Sequence, residues 1–213
     1  MTNVNADSVK DHWYWRPGWH VGARFYTWHI TFSGQSEVIR LAKGYRDVLD
    51  QQSILDVVPD EWLHLTMQGI GFVNEVSTED VDSIVAQARQ RCANLAPMKL
   101  RIGRPHVDPE SIQIAIEPAG PVRALRQEIR SSIGEVWGFD RIPEPAEPYN
   151  PHMSLAYINA KGPAAPLVKA LEEVSALSAE VRISSCQLIV LNRDNGMYVW
   201  EPYATVALGE SSP

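Results

Sequence analysis

The chain has 213 residues, 45% of them hydrophobic and 21% charged, an ordinary globular composition that fits one domain or two lobes around a shared core. With 26 acidic against 19 basic residues the formal net charge is -7, which argues against a bulk electrostatic grip on long nucleic acid. A small anionic ligand in a locally positive cleft stays allowed. Cys92 and Cys186 are far apart, without a CxxC or CxH context, and read as small buried hydrophobes rather than a disulfide or zinc site. No apolar run approaches the ~20 residues of a membrane span. Where a signal peptide needs an aliphatic core, the first thirty positions carry His12-Trp13-Tyr14-Trp15-Arg16-Pro17. The expectation is a cytoplasmic, monomeric chain without membrane contact.

Residues 1–23 form an aromatic-rich extension expected to pack on the body, its first eleven residues polar and expected to fray. Arg16-Pro17-Gly18 forbids a regular helix through the tryptophans. From Phe25 to Phe32 residues alternate: Tyr26, Trp28, Ile30 and Phe32 on one face, Thr27, His29 and Thr31 on the other, a half-buried strand. Residues 37–51 have Val38, Leu41, Tyr45, Val48 and Leu49 at helical spacing. A second strand covers residues 62–72. Ser77 or Thr78 caps a helix reaching about Asn94, with Glu79, Asp80 and Asp82 at its positive end.

Residues 99–102 and 111–117 read as a strand pair joined by a Gly-Arg-Pro loop, and Pro121 opens a helix to about Glu135. A proline-rich connection, residues 143–151, leads into a strand over 152–158. A helix over about 164–177 then precedes two final strands, residues 181–191 and 198–208, with the turn at 192–196. Because the closing strands form a hairpin, mixed or antiparallel sheets are expected, in an α+β class. The body is taken as one bilobal domain over residues 24–208, followed by a tail, 209–213.

Two strings stand out: His64-Leu65-Thr66-Met67 and His152-Met153-Ser154-Leu155, 88 positions apart. In a strand, positions i and i+2 share a face. So each string presents an imidazole and a hydroxyl together and turns its two aliphatic residues into the core. An imidazole exchanges a proton near neutral pH, and a hydroxyl donates to a phosphoryl oxygen. Either string alone is unremarkable in a strand. Two copies, in matching strands with matching aliphatic partners, together supply a base, an acid and two phosphate donors.

Pro59 to Gly71, centred on His64-Leu65-Thr66-Met67, resembles the first motif of the two-histidine phosphoesterases, in particular the bacterial 2'-5' RNA ligase-like branch. Asn150 to Tyr157 resembles the second, and the order of elements fits from about Arg24 to Leu208. The resemblance implies a bilobal fold with a pseudo-two-fold axis, each lobe giving one His-x-Ser/Thr strand to a central cleft with helices outside. It also implies action without a metal or cofactor on cyclic phosphates or 2'-5' phosphodiesters of small nucleotides and RNA ends. On that pattern His64 and His152 are catalytic, and Thr66 and Ser154 bind phosphate. Many relatives carry an Arg shortly after the second motif, where this chain has Ala156-Tyr157-Ile158, and relatives usually lack the tryptophan-rich extension.

A third string, His29-Ile30-Thr31-Phe32, has the parity to look into the same cleft, so His29 and Thr31 are candidate substrate contacts, against the reading of His29 as a solvated strand histidine. Tyr149, Tyr157, Phe72 and Trp62 flank the motifs and are candidates for stacking a base, worth ~1–3 kcal/mol, with core the favoured reading for Trp62 and Tyr157. His12, His20 and His106 read as surface histidines, and Arg104, Arg141 and Arg193 as loop cations near the cleft. In hydrolysis His152 is taken as base and His64 as acid. The competing functions are a non-catalytic nucleotide or RNA-end binding module in the same cleft, and an interaction protein whose tryptophans form a partner patch. Neither motif offers a third ligand at metal spacing.

Overall fold

The computed structural model describes residues 5–175 and 177–209; of the expected tail only Gly209 falls within them, and residues 1–4 of the extension lie outside. In chain order the elements are β1 (Ser8–Val9), β2 (Phe25–Thr31), α1 (Ser36–Leu49), β3 (Leu55–Val57), β4 (His64–Phe72), α2 (Thr78–Cys92), β5 (Met98–Val107), β6 (Ser111–Glu117), α3 (Ala119–Trp137), β7 (His152–Ile158), β8 (Gly162–Pro163), α4 (Ala165–Glu172), β9 (Ala179–Ile183), β10 (Ser185–Asn192) and β11 (Val199–Ala207). Short 3-10 turns at Asp60–Trp62 and Phe139–Arg141 precede β4 and the proline-rich connection.

Two antiparallel sheets carry the architecture, one of four strands in the order β11-β10-β2-β4 and one of five in the order β3-β7-β6-β5-β9. The helices bury the stripes that their spacing defines. In α1 these are Val38, Leu41, Ala42, Tyr45 and Leu49; in α2, Val81, Ile84, Val85, Ala88 and Cys92. The Ser77 hydroxyl accepts from the Asp80 amide and so caps α2. Gly138 ends α3 at φ 95°, a conformation in which a side chain would be strained. Tyr26, Trp28 and Ile30 of β2 join Leu65 and Met67 of β4 in the main core. The opposite face of that sheet carries His29, Thr31, His64 and Thr66, because Thr31 pairs with His64 and His29 with Thr66.

Three expectations change. The single strand expected over residues 181–191 is two strands: β9 closes the edge of the five-stranded sheet, and β10, after Ser184, lies inside the four-stranded one. The inward parity flips across the switch, from Ala179, Val181 and Ile183 to Cys186 and Leu188 with Ser184-Ser185 between them, and that break was the available sequence signal. The Gly103-Arg104-Pro105 segment is not a loop but part of a longer β5, whose pairing with β6 shifts register between Ile102 and Pro105. And β2 is covered on both faces, since even Thr27 and His29 are buried.

The extension is also more ordered than its polarity implies. The Ala6, Lys10 and His12 amides donate to the Val107, Pro109 and Ile158 carbonyls on the side of the five-stranded sheet. β1 pairs with β8. Farther on, Arg193, beyond the end of β10, donates to the His12 and Tyr14 carbonyls, and the Gly22 amide to the Asp194 carboxylate. Residues 5–23 thus strap one sheet to the other. Arg193, an expected loop cation, is only 3% exposed and lies under the rings of Trp13, Trp15, Trp19 and Tyr198.

Candidate active site

His64 is the first residue of β4 and His152 the first of β7, one from each sheet. Each is oriented in the same way. The His64 Nδ1–H donates to the Trp62 carbonyl at 2.7 Å, and the His152 Nδ1–H to the Asn150 carbonyl at 2.9 Å. A carbonyl only accepts, so Nδ1 holds the proton and Nε2 is the free nitrogen of each neutral ring. The two rings line one cavity of about 1080 Å³, together with Thr66 and Ser154. Leu65, Met67, Met153 and Leu155 are buried in the core, as the strand parity of both strings requires.

The two histidines differ in surroundings. His152 is exposed, whereas His64 is buried at 7% exposure. Burial pushes the His64 pKa down to about 4, outweighing the opposing pull of the Trp62 carbonyl, so its ring is neutral at neutral pH. Behind it lies His29, 1% exposed, its ring parallel to that of His64 within 9° at 4.4 Å between centroids. The indole of Trp200 meets both rings edge-on, at 5.4 Å from His29 and 5.1 Å from His64.

Tyr149 and Tyr157 line the cavity; His29 and Thr31 are not among its lining residues. Thr31 donates to the Gln187 amide oxygen, and His29 Nε2 lies 3.2 Å from the Thr66 hydroxyl. The Tyr149 hydroxyl donates to the Thr66 carbonyl, and its ring sits beneath the Arg126 guanidinium at 4.3 Å. Tyr157 is 5% exposed and stacks on His12 at 4.5 Å. His12 and His106, expected at the surface, both line the cavity instead: His12 is buried, and His106 lies in β5 opposite Gln113. His12 Nε2 hydrogen-bonds the Tyr198 hydroxyl, another lining group, at 2.9 Å.

The cations at the cavity are Arg16, Arg123 and Arg126, not Arg104, Arg141 or Arg193. Arg16 comes from the strap and is held by Glu110 at 2.7 Å. Arg123 and Arg126 come from α3, where they continue to Arg130 at helical spacing, beside the buried stripe of Val122, Leu125 and Ile129. That row of arginines against an apolar face was the available signal. Arg126 donates to the Met67, Pro145 and Ala146 carbonyls, and Arg130 to the Gln68 amide oxygen and the Pro143 and Glu144 carbonyls. Gln68, fully buried in the first motif strand, donates in turn to the Pro143 carbonyl. The proline-rich connection that delivers His152 is therefore bolted directly to the strand that carries His64.

Among the described residues no group of three or more His, Cys, Asp or Glu side chains is arranged to hold a metal ion, and no helix is long and apolar enough to cross a membrane. The architecture matches solved structures at low identity. TT0787 of Thermus thermophilus superposes with a TM-score of 0.67 at 20% identity, over 89% of this chain and 100% of that one. A structure described as a phosphoesterase gives a TM-score of 0.64 at 16% identity, covering 87% and 99%. LigT of E. coli, in its complex with 3'-AMP, gives 0.62 at 14% identity, covering 87% and 98%. No curated protein matches in sequence. The model of the 2'-5' RNA ligase superfamily matches residues 20–196, a span that starts within the strap and takes in both His-x-hydroxyl strands. With the bilobal sheets, the paired strands and that match in agreement, the chain belongs to the 2'-5' RNA ligase superfamily, one consistent with the two-histidine phosphoesterases.

Proposed function

We propose that this protein is a phosphodiesterase or RNA-end processing enzyme that opens a 2',3'-cyclic phosphate, or acts on a 2'-5' phosphodiester, by acid–base catalysis between His64 and His152. The observation that carries the reading is the matched pair: two imidazoles on one cavity, each with Nδ1 occupied by a carbonyl and each two residues before a hydroxyl. The substrate class, a small nucleotide or an RNA terminus, draws support from LigT, whose structures include complexes with 3'-AMP and with ATP.

The burial of His64 supports roles opposite to those expected from sequence. His64, neutral, takes a proton from water at Nε2 as the water oxygen bonds to phosphorus. The phosphorus bond to one ribose oxygen breaks, and His152 gives that oxygen its proton. The hydroxyls of Thr66 and Ser154 donate to the non-bridging oxygens, where charge grows. Ligation is the same step with a ribose hydroxyl in place of the attacking water.

The test is turnover of 2',3'-cyclic mononucleotides, 2'-5' oligoadenylate, ADP-ribose cyclic phosphate and cyclic-phosphate-ended RNA. Product from any of them supports an enzyme; tight binding without product on all four identifies a binding module. Among the described residues no third ligand stands with either histidine, so turnover is expected to persist in EDTA. Loss in EDTA with recovery on a divalent ion overturns the metal-free mechanism.

The pH profile tests whether His64 works as a neutral ring. The lowered pKa keeps His64 neutral down to about 4, so kcat/KM should fall only as pH drops through that value. A fall that sets in well above that value would show that burial does not hold His64 neutral.

A further inference from the structure

We propose that His29 is a positioning residue that aims the Thr66 hydroxyl at the phosphate, rather than a group that touches substrate. The inference rests on the phosphoesterase reading above and deepens it. His29 is 1% exposed and closed in by His64 on its face, Trp200 at its edge and Thr66 at Nε2. Within this box its ring makes one hydrogen bond, to the Thr66 hydroxyl at 3.2 Å, while Nδ1 is buried with no partner.

That pattern selects a tautomer. With the proton on Nδ1, a buried N–H would have no acceptor, the rarer and costlier kind of defect. With the proton on Nε2, His29 donates to Thr66 Oγ1 and only a lone pair is left bare. The direction of this bond decides what Thr66 can do. A threonine hydroxyl has one proton and two lone pairs. If His29 accepted from it, that proton would be spent inside the protein and lone pairs would face the anion. Because His29 donates, the proton is free for a non-bridging oxygen. Burial, with the neighbouring His64 ring as the lesser cause, holds the His29 pKa well below the usual histidine range. The ring stacked under His64 therefore stays neutral, and protonation of His64 brings no second cation against it.

The consequence is coupling: His29 matters only through Thr66. His29→Phe keeps an aromatic ring against His64 but removes the donor; His29→Gln keeps a donor of similar reach. On a substrate that the wild type turns over, H29F should lower kcat roughly tenfold, as expected for one hydrogen bond to a charged group, with little change in KM. The same change in a Thr66→Ala background should cost less than about twofold, and H29Q should recover most of the loss. An H29F loss as large in the T66A background as in the wild type, or no loss at all, overturns the proposal.

A second measurement needs neither substrate nor variant. Long-range proton–nitrogen NMR of the wild-type protein should report His29 as the Nε2–H tautomer, and an Nδ1–H tautomer overturns the proposal. Absence of turnover on every substrate defeats the phosphoesterase reading instead, so the two failures are told apart.

Discussion

His64→Ala and His152→Ala will each lower turnover by at least about a hundredfold, because a positioned acid or base typically contributes ~10²- to 10⁴-fold. Each ring is held by one hydrogen bond from Nδ1 to a carbonyl two residues upstream, so a truncation removes the proton carrier while the strand behind it keeps its ladder. The two imidazoles serve one transition state. The double variant should therefore lose far less than the product of the single losses. Thr66→Ala and Ser154→Ala remove a hydrogen bond without a proton transfer and should cost less, about 1–3 kcal/mol each. Steady-state kinetics on a verified substrate, with circular dichroism as the folding check, decide the matter. Turnover essentially unchanged in either histidine variant would end the two-histidine mechanism for this protein.

Arg126→Ala will destabilise the fold by about 3 kcal/mol, the scale of losing more than one hydrogen bond from a charged donor to acceptors left unmatched. Arg126 is 6% exposed and its three nitrogens reach the Met67, Pro145 and Ala146 carbonyls, while its guanidinium covers the ring of Tyr149. One side chain thus joins the first motif strand, the helix α3 and the connection that delivers the second motif. Urea unfolding should show a lower midpoint with an unchanged slope, since the surface exposed on unfolding stays the same. Arg123→Ala, which loses only bonds to the Tyr149 carbonyl at an exposed position, serves as the control and should cost under about 1 kcal/mol. A loss for R126A no larger than for R123A would show that the connection is held by other contacts.

These two predictions draw on different kinds of information. The histidine pair was legible in the sequence because strand geometry is local. Once a segment is a strand, its period of two puts His64 with Thr66 and His152 with Ser154 on one face and turns Leu65, Met67, Met153 and Leu155 inward, whatever the rest of the chain does. The helical stripes of α1 and α2 and the Ser77 cap were legible for the same reason. The α+β class followed from the order of those elements.

What the tertiary structure alone decided is which faces are covered, and by what. The parity of His29 was readable. Its burial was not, because that depends on the pairing of β2 between β4 and β10 and on Trp200 arriving from the far end of the chain. The switch at Ser184 leaves a local trace, the change of inward parity between Ile183 and Cys186, but which sheet each half joins was decided by the fold. Arg16, Arg123 and Arg126 reach the cavity because a strap and a helix, distant in sequence from both motifs, are docked beside it. The His64 pKa moved for the same reason: the cost of charging an imidazole is set by the solvent it has lost, and the layers that exclude that solvent come from strands brought together only by the fold.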